Sequence, residues 1–354
     1  MYFPTTRTRA LTDRDGLHQN LSTRIPRPAV KTAADVAALN ANERNAYNDS
    51  RIQFLSGGLD VTTPQVRTVI DNVETIHAGN SACIGTQNGL LLSGEAGSGK
   101  TTTAKMLMKH VFREYGTSFP DFADHGHTPV VFIEVPAGST PKLMMTHFAQ
   151  FFGLAIARAE TMASIQHRVV ATLNAANTQL IVVDELQNLI ASNRGNGESI
   201  DVLRSLHNQV PATFVYSGVE LLKSELLSGP RGQQLSARCI PMELTRYNVR
   251  NAAQQTQWDG LIGTFEKALP LNAQEPDSLR LLADALAMKA NGSLGTLRQI
   301  LAGAAIDLIR NPAGRPERIT AELIDAKAVD LAAQKALETA RALHRTSKSA
   351  KKAA

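Results

Sequence analysis

The residues from Gly94 to Thr101 have types and a spacing that could hold a chain of phosphates. They read Gly-Glu-Ala-Gly-Ser-Gly-Lys-Thr, which matches the pattern G-x-x-x-x-G-K-[ST]. An apolar stretch, LLLS, precedes them, and TTAKMLMKHVF follows with the periodicity of a helix. Glycines let backbone N–H groups face phosphate oxygens, and a helix that begins there adds the positive end of its dipole. The pattern predicts a phosphate loop between a strand and a helix.

Two residues of this loop have distinct expected roles towards a nucleoside triphosphate. Lys100 is expected to reach the β- and γ-phosphates, and Thr101 to ligate Mg²⁺. The cofactors implied are therefore ATP and Mg²⁺. The predicted cofactor-binding residues are Gly94, Glu95, Ala96, Gly97, Ser98, Gly99, Lys100, Thr101 and Thr102.

Two acids end a later apolar run, QLIVVDELQNL. Asp184, at the end of that predicted strand, is placed to hold Mg²⁺, usually through water. Glu185 is then the candidate general base that orients the attacking water. The alternative is that both acids begin a helix because its dipole favours negative charge there. The pair favours hydrolysis of ATP over nucleotide binding alone.

Three further residues are candidates for the catalytic site. Ser217 ends the next apolar run and could sense the phosphate and the water, although it could also cap a turn. Arg238 could project across a subunit boundary as an arginine finger, which stabilises charge in the transition state. A solvated surface arginine is its alternative, and Arg231 is the rival finger. Arg298, in GSLGTLRQIL, could reach the γ-phosphate or simply form an ion pair on a helix surface.

Five short apolar runs would position these residues. Each is bounded by Gly, Pro or polar residues and lacks clean alternation, as expected for strands that are buried on both faces of a parallel sheet. The runs are Gly89–Ser93, Pro129–Val135, Gln179–Val183, Ala212–Tyr216 and Cys239–Leu244. Helices of plausible length lie between them, which predicts an α/β sandwich. After the fifth run only helices are predicted, over residues 249–269, 276–290, 294–310 and 319–343.

The chain divides into four predicted segments. Residues 1–35 show little periodicity and are predicted to be a flexible N-terminal arm. Residues 36–246 form the α/β nucleotide-binding domain with an N-terminal helical extension, and residues 247–340 form a small helical lid domain. Residues 341–354 are a basic, low-complexity tail that is predicted to be disordered.

Composition and charge limit the classes of protein to which the chain can belong. Hydrophobic residues make up 43% and charged residues 19% of the 354 residues, as in ordinary globular proteins, and no apolar run could span a membrane. Cys83 and Cys239 lack metal-ligand spacing, which favours two packing residues in a reduced, cytoplasmic protein. The net charge of +5 resides entirely in residues 341–354. The overall charge therefore says nothing about nucleic acid.

The order of these parts resembles that of the AAA+ ATPases. Their fold is a three-layer P-loop sandwich around a parallel five-stranded sheet, followed by a small all-helical lid domain. The sequence around these motifs is more specifically similar to the TniB/TnsC group of transposition regulators, with MuB and IstB as more distant relatives. The similar stretches cover about residues 45–310: Arg51 leading into VTTPQV, PVVFIEVPAGSTPKLMMTHFAQFFGL, VVDELQNL, FVYSGVELL and GSLGTLRQIL. Leu186-Gln187 depart from the His-like or aromatic residue that often follows the acids in that group.

The resemblance implies an ATP-dependent protein that assembles into a homo-oligomeric ring or filament on duplex DNA. It further implies a transposase partner, and a target-selector protein as an additional one. DNA in such relatives is touched by the loops after the second strand and after the acidic pair. Those loops hold Ser139, Thr140 and Lys142, and Asn193, Arg194 and Asn196. Such side chains suit phosphates rather than base edges, so DNA contacts are predicted for Thr140, Lys142 and Arg194, with ordinary solvation as the alternative.

Two other functions remain open at this point. One is an ATPase that initiates replication or loads other proteins, which would share the arrangement of Arg298. The lack of a strand-containing module after the predicted lid argues against it. The other is a signalling or defence NTPase that oligomerises as a scaffold through residues 1–35 and does not act on DNA.

Overall fold

The computed structural model describes residues 10–82, 87–189, 196–312, 315–330, 333–335 and 337–338. These residues form two compact units. The first, called the sheet unit, contains residues 10–23 and the described part of 64–245. The second, called the helical unit, contains residues 24–63 and the described residues from 246 onwards.

Five parallel strands form the centre of the sheet unit. They are β1 (Gly89–Gly94), β2 (Val130–Glu134), β3 (Leu180–Asp184), β4 (Thr213–Val219) and β5 (Cys239–Leu244). Their order across the sheet is β2-β3-β4-β1-β5. Nearly every residue of β1 to β4 is buried, which explains why these strands are continuous apolar runs. The edge strand β5 is partly exposed. The predicted five-stranded parallel sheet is confirmed.

Helices account for most of the other described residues. They are α1 (Arg14–Ser22), α2 (Ala33–Ala38), α3 (Ala41–Gln53), α4 (Pro64–Ala82), α5 (Lys100–Ser118), α6 (Pro141–Phe151), α7 (Met162–Ala175), α8 (Asn196–Gln209), α9 (Glu225–Ser228), α10 (Pro230–Ser236), α11 (Ala252–Ala268), α12 (Ala283–Ala290), α13 (Leu294–Arg310) and α14 (Ala321–Ala326). A π-helical turn spans Phe54–Gly58, and short 3₁₀ turns span Leu186–Leu189, Leu221–Lys223 and Arg280–Leu282. None of the helices in the described ranges is long and apolar enough to cross a membrane.

The segment that was expected to be a flexible arm contains a packed helix. Asp13 caps α1 by accepting a hydrogen bond from the Gly16 N–H group at 2.7 Å. Leu17 and Leu21 are buried in the core of the sheet unit, and the His18 ring lies edge-on to the Phe112 ring. Two leucines one turn apart are too short a pattern to reveal a helix in a polar segment. The helix is therefore stabilised by tertiary packing, which the sequence pattern does not reveal.

The helical unit has a core of its own. Trp258 of α11 is fully buried, and its indole N–H group donates to the Ala283 carbonyl oxygen at 3.1 Å. Phe265 and Ile300 belong to the same core. The helix predicted over 276–290 is shorter, because Asp277 takes a left-handed φ of 62° and a 3₁₀ turn precedes α12. The single helix predicted over 319–343 is wrong, because α14 ends at Ala326 and Lys327 is extended with a ψ of 132°. Residues 331–332, 336 and 339–343 lie outside the described residues.

A buried ion pair joins the two chain segments of the helical unit. The Arg51 side chain is 1% exposed, and its guanidinium donates to both Glu317 carboxylate oxygens at 2.6 and 3.0 Å. The Pro270 carbonyl oxygen accepts a further hydrogen bond at 3.2 Å, and the Tyr47 ring lies 4.5 Å from the guanidinium. Residues 36–63, which were expected to extend the nucleotide-binding domain, therefore pack within the helical unit.

Candidate nucleotide-binding site

The carboxyl ends of β1, β3 and β4 lie side by side at one edge of the sheet. Strand β4 lies between the other two, with Val183 paired to Tyr216 on one side and Gly94 paired to Val219 on the other. Because all three strands are parallel, the loops that follow them meet at the same edge. Ligands of open α/β sheets bind at this edge. The register therefore brings the glycine-rich loop and the acidic pair together.

The backbone of the loop requires glycine at several positions. Gly97 and Gly99 have left-handed φ angles of 76° and 95°, which glycine adopts without steric cost. A Cβ atom on Gly94 would lie 2.5 Å from both the Leu244 carbonyl oxygen and the Ser98 hydroxyl. Helix α5 begins directly after the loop, and the first N–H groups of a helix lack intrahelical partners. The loop can therefore present backbone donors to an anion.

Lys100 is held inside the loop by neutral groups. Its ammonium donates to the Gly94 carbonyl oxygen at 2.9 Å and to the Glu95 carbonyl oxygen at 2.8 Å. Burial lowers the pKa of Lys100, while the negative charges of Asp184 and Glu185 oppose that effect. Among the described residues Lys100 forms no ion pair. Its positive charge is therefore available to a bound anion.

Oxygen ligands suited to Mg²⁺ lie beside this lysine. The Thr101 hydroxyl donates to an Asp184 carboxylate oxygen at 3.4 Å. The other Asp184 oxygen accepts a hydrogen bond from the Glu185 N–H group at 2.9 Å. Glu185 has a left-handed φ of 59°, so the chain turns sharply as β3 ends. Hydroxyl and carboxylate oxygens are ligands that Mg²⁺ takes in nucleotide sites.

Two buried hydroxyls add to the fit of a polar ligand. Ser98 Oγ and Ser217 Oγ are both buried without a hydrogen-bond partner among the described residues. Buried polar atoms are rarely left unpaired. Ser217 lies within β4, paired to Leu92, rather than after the strand as expected. Its hydroxyl caps no turn, so the turn-capping alternative does not describe it.

The turn after the acidic pair holds Gln187, which had no predicted role and stood out only as a departure from the TniB/TnsC pattern. The Gln187 side chain donates from Nε2 to a Glu185 carboxylate oxygen and accepts from the Val219 N–H group at 2.9 Å. Asn188 donates to the Val135 carbonyl oxygen at 2.7 Å, just beyond β2. No motif or spacing identifies Gln187. Its partner on β4 is distant in sequence and is brought near only by the sheet.

Arg238, the first candidate arginine finger, lies away from the phosphate loop of its own chain. Arg238 directly precedes β5, and its carbonyl oxygen accepts from the Gly89 N–H group at 2.9 Å. This is the amino end of β1, about 16 Å from Gly94 at about 3.3 Å per residue. The Arg238 guanidinium donates to the Asn208 side chain. Arg231, the rival, forms an ion pair with Asp201 at 3.3 Å.

Arg298 belongs to the helical unit, where it lies on α13. Its guanidinium donates to the Leu59 carbonyl oxygen at 2.9 Å and to the Ser56 carbonyl oxygen at 3.0 Å. Ser56 lies within the π-helical turn, and Leu59 directly follows it. The partners are neutral, so the helix-surface ion pair that was the alternative is not formed among the described residues.

The structure describes two of the three predicted DNA-contacting residues. Thr140 caps α6, because its hydroxyl oxygen accepts from the Leu143 N–H group at 3.2 Å. Lys142 is exposed in the first turn of α6 and forms no ion pair with other described residues. Arg194 lies outside the described residues, as do Asn193 and the basic tail at 341–354.

The chain also has a cavity of about 430 Å³ that is separate from this site. It lies between α4 and α5, where His77 and Tyr115 contribute to its lining. Leu180 and Thr213, the first residues of β3 and β4, also line it. The cavity is therefore at the amino end of these strands, and none of the phosphate-loop residues lines it.

Comparison with known proteins agrees with this geometry. Residues 84–225 match the family model described as an AAA domain. The architecture of the chain is the AAA+ P-loop fold, with helices around a five-stranded parallel sheet and a helical region after it.

Solved structures share this fold at low sequence identity. ORC2 from Aeropyrum pernix in ADPNP and ADP complexes is 18% identical with a TM-score of 0.55, over 77% of this chain and 67% of that one. ORC1 from Aeropyrum pernix in complex with DNA is 17% identical with a TM-score of 0.52, over 75% and 65%. Cdc6p from Pyrobaculum aerophilum is 14% identical with a TM-score of 0.50, over 74% and 65%. This chain thus spans about two thirds of each, and no curated protein matches it significantly.

Replacing Lys100 with alanine tests the nucleotide site. We expect ATP affinity to fall about ten- to a hundredfold, because a charge-assisted hydrogen bond contributes about 1.5–3 kcal/mol. Lys109→Ala on the same helix removes an equal charge and is the control. Calorimetric titration with Mg²⁺-ATP measures both variants. Equal affinity of Lys100→Ala and wild-type protein would mean that the nucleotide binds elsewhere.

Proposed function

We propose that the protein binds ATP with Mg²⁺ at the glycine-rich loop and hydrolyses it. The observation that carries the proposal is the grouping of Lys100, Thr101 and Asp184 where β1 and β3 end. Lys100 contacts the β- and γ-phosphates, while Thr101 and Asp184 hold the metal ion. Bound Mg²⁺ neutralises charge that develops on the phosphate oxygens. The helix that starts at Lys100 supplies backbone donors to the same phosphates.

Glu185 and Ser217 complete the proposed hydrolytic site. Glu185 directly follows the metal ligand Asp184 and is half-buried, so its carboxylate can accept a hydrogen bond from an attacking water. The buried Ser217 hydroxyl, which has a free donor, lies on the neighbouring strand. We assign it the role of a polar contact between the γ-phosphate and that water.

Glu185→Gln is expected to separate binding from hydrolysis. The amide keeps the size of the side chain but cannot accept a proton, so hydrolysis should fall by about 10²- to 10⁴-fold, as on loss of a general base. ATP affinity should remain within about threefold, a change of less than 1 kcal/mol. Phosphate release and equilibrium titration measure the two quantities. Glu114→Gln, at an exposed position of α5, is the control, and wild-type hydrolysis by Glu185→Gln would exclude Glu185 as the base.

We propose that Arg238 acts on the nucleotide of a neighbouring subunit. In its own chain the length of β1 separates it from the phosphate loop. An arginine that enters a neighbouring site can accelerate hydrolysis by about 10³- to 10⁵-fold. Arg298 is proposed to contact the γ-phosphate through guanidinium N–H donors other than the two that bind the Ser56 and Leu59 carbonyl groups.

Mixed oligomers test the role of Arg238. Arg238→Ala protein has an intact phosphate loop, and Lys100→Ala protein has an intact finger. We expect each to be inactive alone, and a mixture to regain up to about a quarter of wild-type ATPase activity, because some interfaces pair a good site with a good finger. Steady-state hydrolysis is measured across mixing ratios. A parallel series uses Arg231→Ala in place of Arg238→Ala. If ATPase activity is restored in that series alone, Arg231 and not Arg238 is the arginine finger.

We propose, more specifically, that the protein oligomerises on duplex DNA as a regulator of transposition, with a transposase as its partner. The proposal is supported by the resemblance of residues 45–310 to the TniB/TnsC group and by the exposed Lys142 after β2. A replication initiator is the second candidate, since the ORC1 structure that shares the fold was determined with DNA. Discrete binding sites would favour an initiator, whereas coating of any duplex would favour the regulator. Electron microscopy with ATP and unrelated duplexes distinguishes them.

Lys142→Ala is expected to weaken binding to all duplex sequences alike. A lost phosphate contact carries no base information, so the slope of log affinity against log salt should flatten by about 0.9 for each contacting subunit. Lys267→Ala, which removes the same charge from an exposed position of the helical unit, is the control. Fluorescence anisotropy at several salt concentrations gives both slopes. An unchanged slope for Lys142→Ala would remove this residue from the DNA interface.

A further inference from the structure

The side-chain amide of Gln187 connects the end of β3 to the end of β4. Its oxygen accepts from the Val219 N–H group at 2.9 Å, and its nitrogen donates to Oε2 of Glu185. Val219 is the last residue of β4, two positions after Ser217. A single side chain thus touches both the candidate base and the strand that carries the candidate sensor.

The orientation of this amide is fixed by its partners. A backbone N–H group can only donate, so the amide atom that faces Val219 must be the oxygen. The amide nitrogen is then directed at Glu185, whose ionised carboxylate can only accept. One carboxylate oxygen of Glu185 is therefore engaged by Gln187. The other oxygen remains to accept a hydrogen bond from water.

The turn that carries Gln187 is anchored on both sides. Leu186 and Leu189 are fully buried in the core of the sheet unit. Asn188 donates to the Val135 carbonyl oxygen at 2.7 Å, which holds the turn against the end of β2. The backbone of the turn therefore stays in place when the Gln187 side chain is changed, so a substitution there tests the two amide hydrogen bonds alone.

Gly218 provides the space that the amide occupies. A Cβ atom at this position would lie 2.3 Å from the Gln187 side-chain oxygen, closer than real contacts allow. A side chain at position 218 would therefore displace the amide from Val219. The Ser-Gly step in β4 and the glutamine after the acidic pair are thus parts of one arrangement, although they lie in separate segments of the sequence.

We propose that Gln187 is a positioning residue that aims the Glu185 carboxylate and couples it to the end of β4. The inference rests on the proposed role of Glu185 in hydrolysis. In this role Gln187 acts through Glu185 and not directly on nucleotide or water. A displacement of Val219 moves the amide oxygen, and the amide nitrogen carries the displacement to the carboxylate. Contact between the γ-phosphate and β4 is in this way transmitted to the base.

The test separates hydrolysis from binding in two variants. Gln187→Met has a similar length and loses both hydrogen bonds, whereas Gln187→Glu keeps the acceptor for Val219 and loses the donor to Glu185. We expect kcat to fall about ten- to a hundredfold in both, the range for a hydrogen bond to a charged group. The Kd for Mg²⁺-ATP should stay within about twofold of wild type, since a positioning residue does not hold nucleotide.

Asn188→Ala is the matched control, because it removes only the side-chain hydrogen bond to Val135. The backbone N–H group of residue 188 still donates to the Glu185 carbonyl oxygen at 2.9 Å, and the Glu185 carboxylate is not changed. The kcat of Asn188→Ala should stay within about twofold of wild type. An equal loss in Asn188→Ala and Gln187→Met would assign the effect to the turn and overturn the proposal. Thermal unfolding of each variant establishes that the protein is folded. If Gln187→Met does not fold, the kcat of Gln187→Glu is compared with that of Asn188→Ala instead, and an equal loss overturns the proposal.

A double variant distinguishes the failure of this inference from the failure of the proposed function. If Gln187 acts through Glu185, adding Gln187→Met to Glu185→Gln should lower kcat no further, because the two effects are then not additive. Wild-type kcat in Gln187→Met, together with an inactive Glu185→Gln, would overturn only the role of Gln187. Full activity of Glu185→Gln would overturn the proposed function itself.

Discussion

The parallel, in-register pairing of β1, β3 and β4 is the constraint on which the site depends. It sets the end of β3 beside the phosphate loop and places Val219 level with Gly94. Side chains alternate between the faces of a strand, so a slip of β4 by one residue would turn Ser217 to the opposite face. The same slip would remove the Val219 N–H group from Gln187. The register of these strands therefore decides which side chains meet at their carboxyl ends.

Two buried cations show that the groups around a charge decide whether it stabilises the fold or can bind a ligand. The Glu317 carboxylate neutralises Arg51, so this ion pair stabilises the helical unit and leaves no net charge for a ligand. Lys100 is held by the carbonyl oxygens of Gly94 and Glu95, which orient the ammonium without cancelling its charge. Under the proposed function a phosphate of the nucleotide would be the counterion of Lys100. Both side chains are long and basic, and only their partners distinguish an anchor from a binding group.

The parts of the fold that follow local rules were predictable from the sequence, and the long-range parts were not. The phosphate loop and the five apolar runs are contiguous signals, and the structure reproduces them within a few residues. Helix α1 was missed because two leucines carry its whole packing face. The carbonyl partners of Arg298 and the β4 partner of Gln187 lie far away in sequence. No periodicity encodes such pairings, and ATPase chemistry, subunit contacts and DNA contacts stay predictions.

The discontinuous helical unit has a consequence for the order in which the chain folds during its synthesis. Domains generally fold as units as the ribosome releases them, the N-terminal one first. Here residues 24–63 emerge early, yet Glu317, the counterion of Arg51, emerges only after the whole sheet unit. The sheet unit can therefore complete its core while the first segment of the helical unit is still without a partner. Newly made Ile52, Phe54 and Leu55 therefore lack the cover of α13 until that helix has been synthesised, so this short apolar stretch stays exposed on the nascent chain while the sheet unit folds.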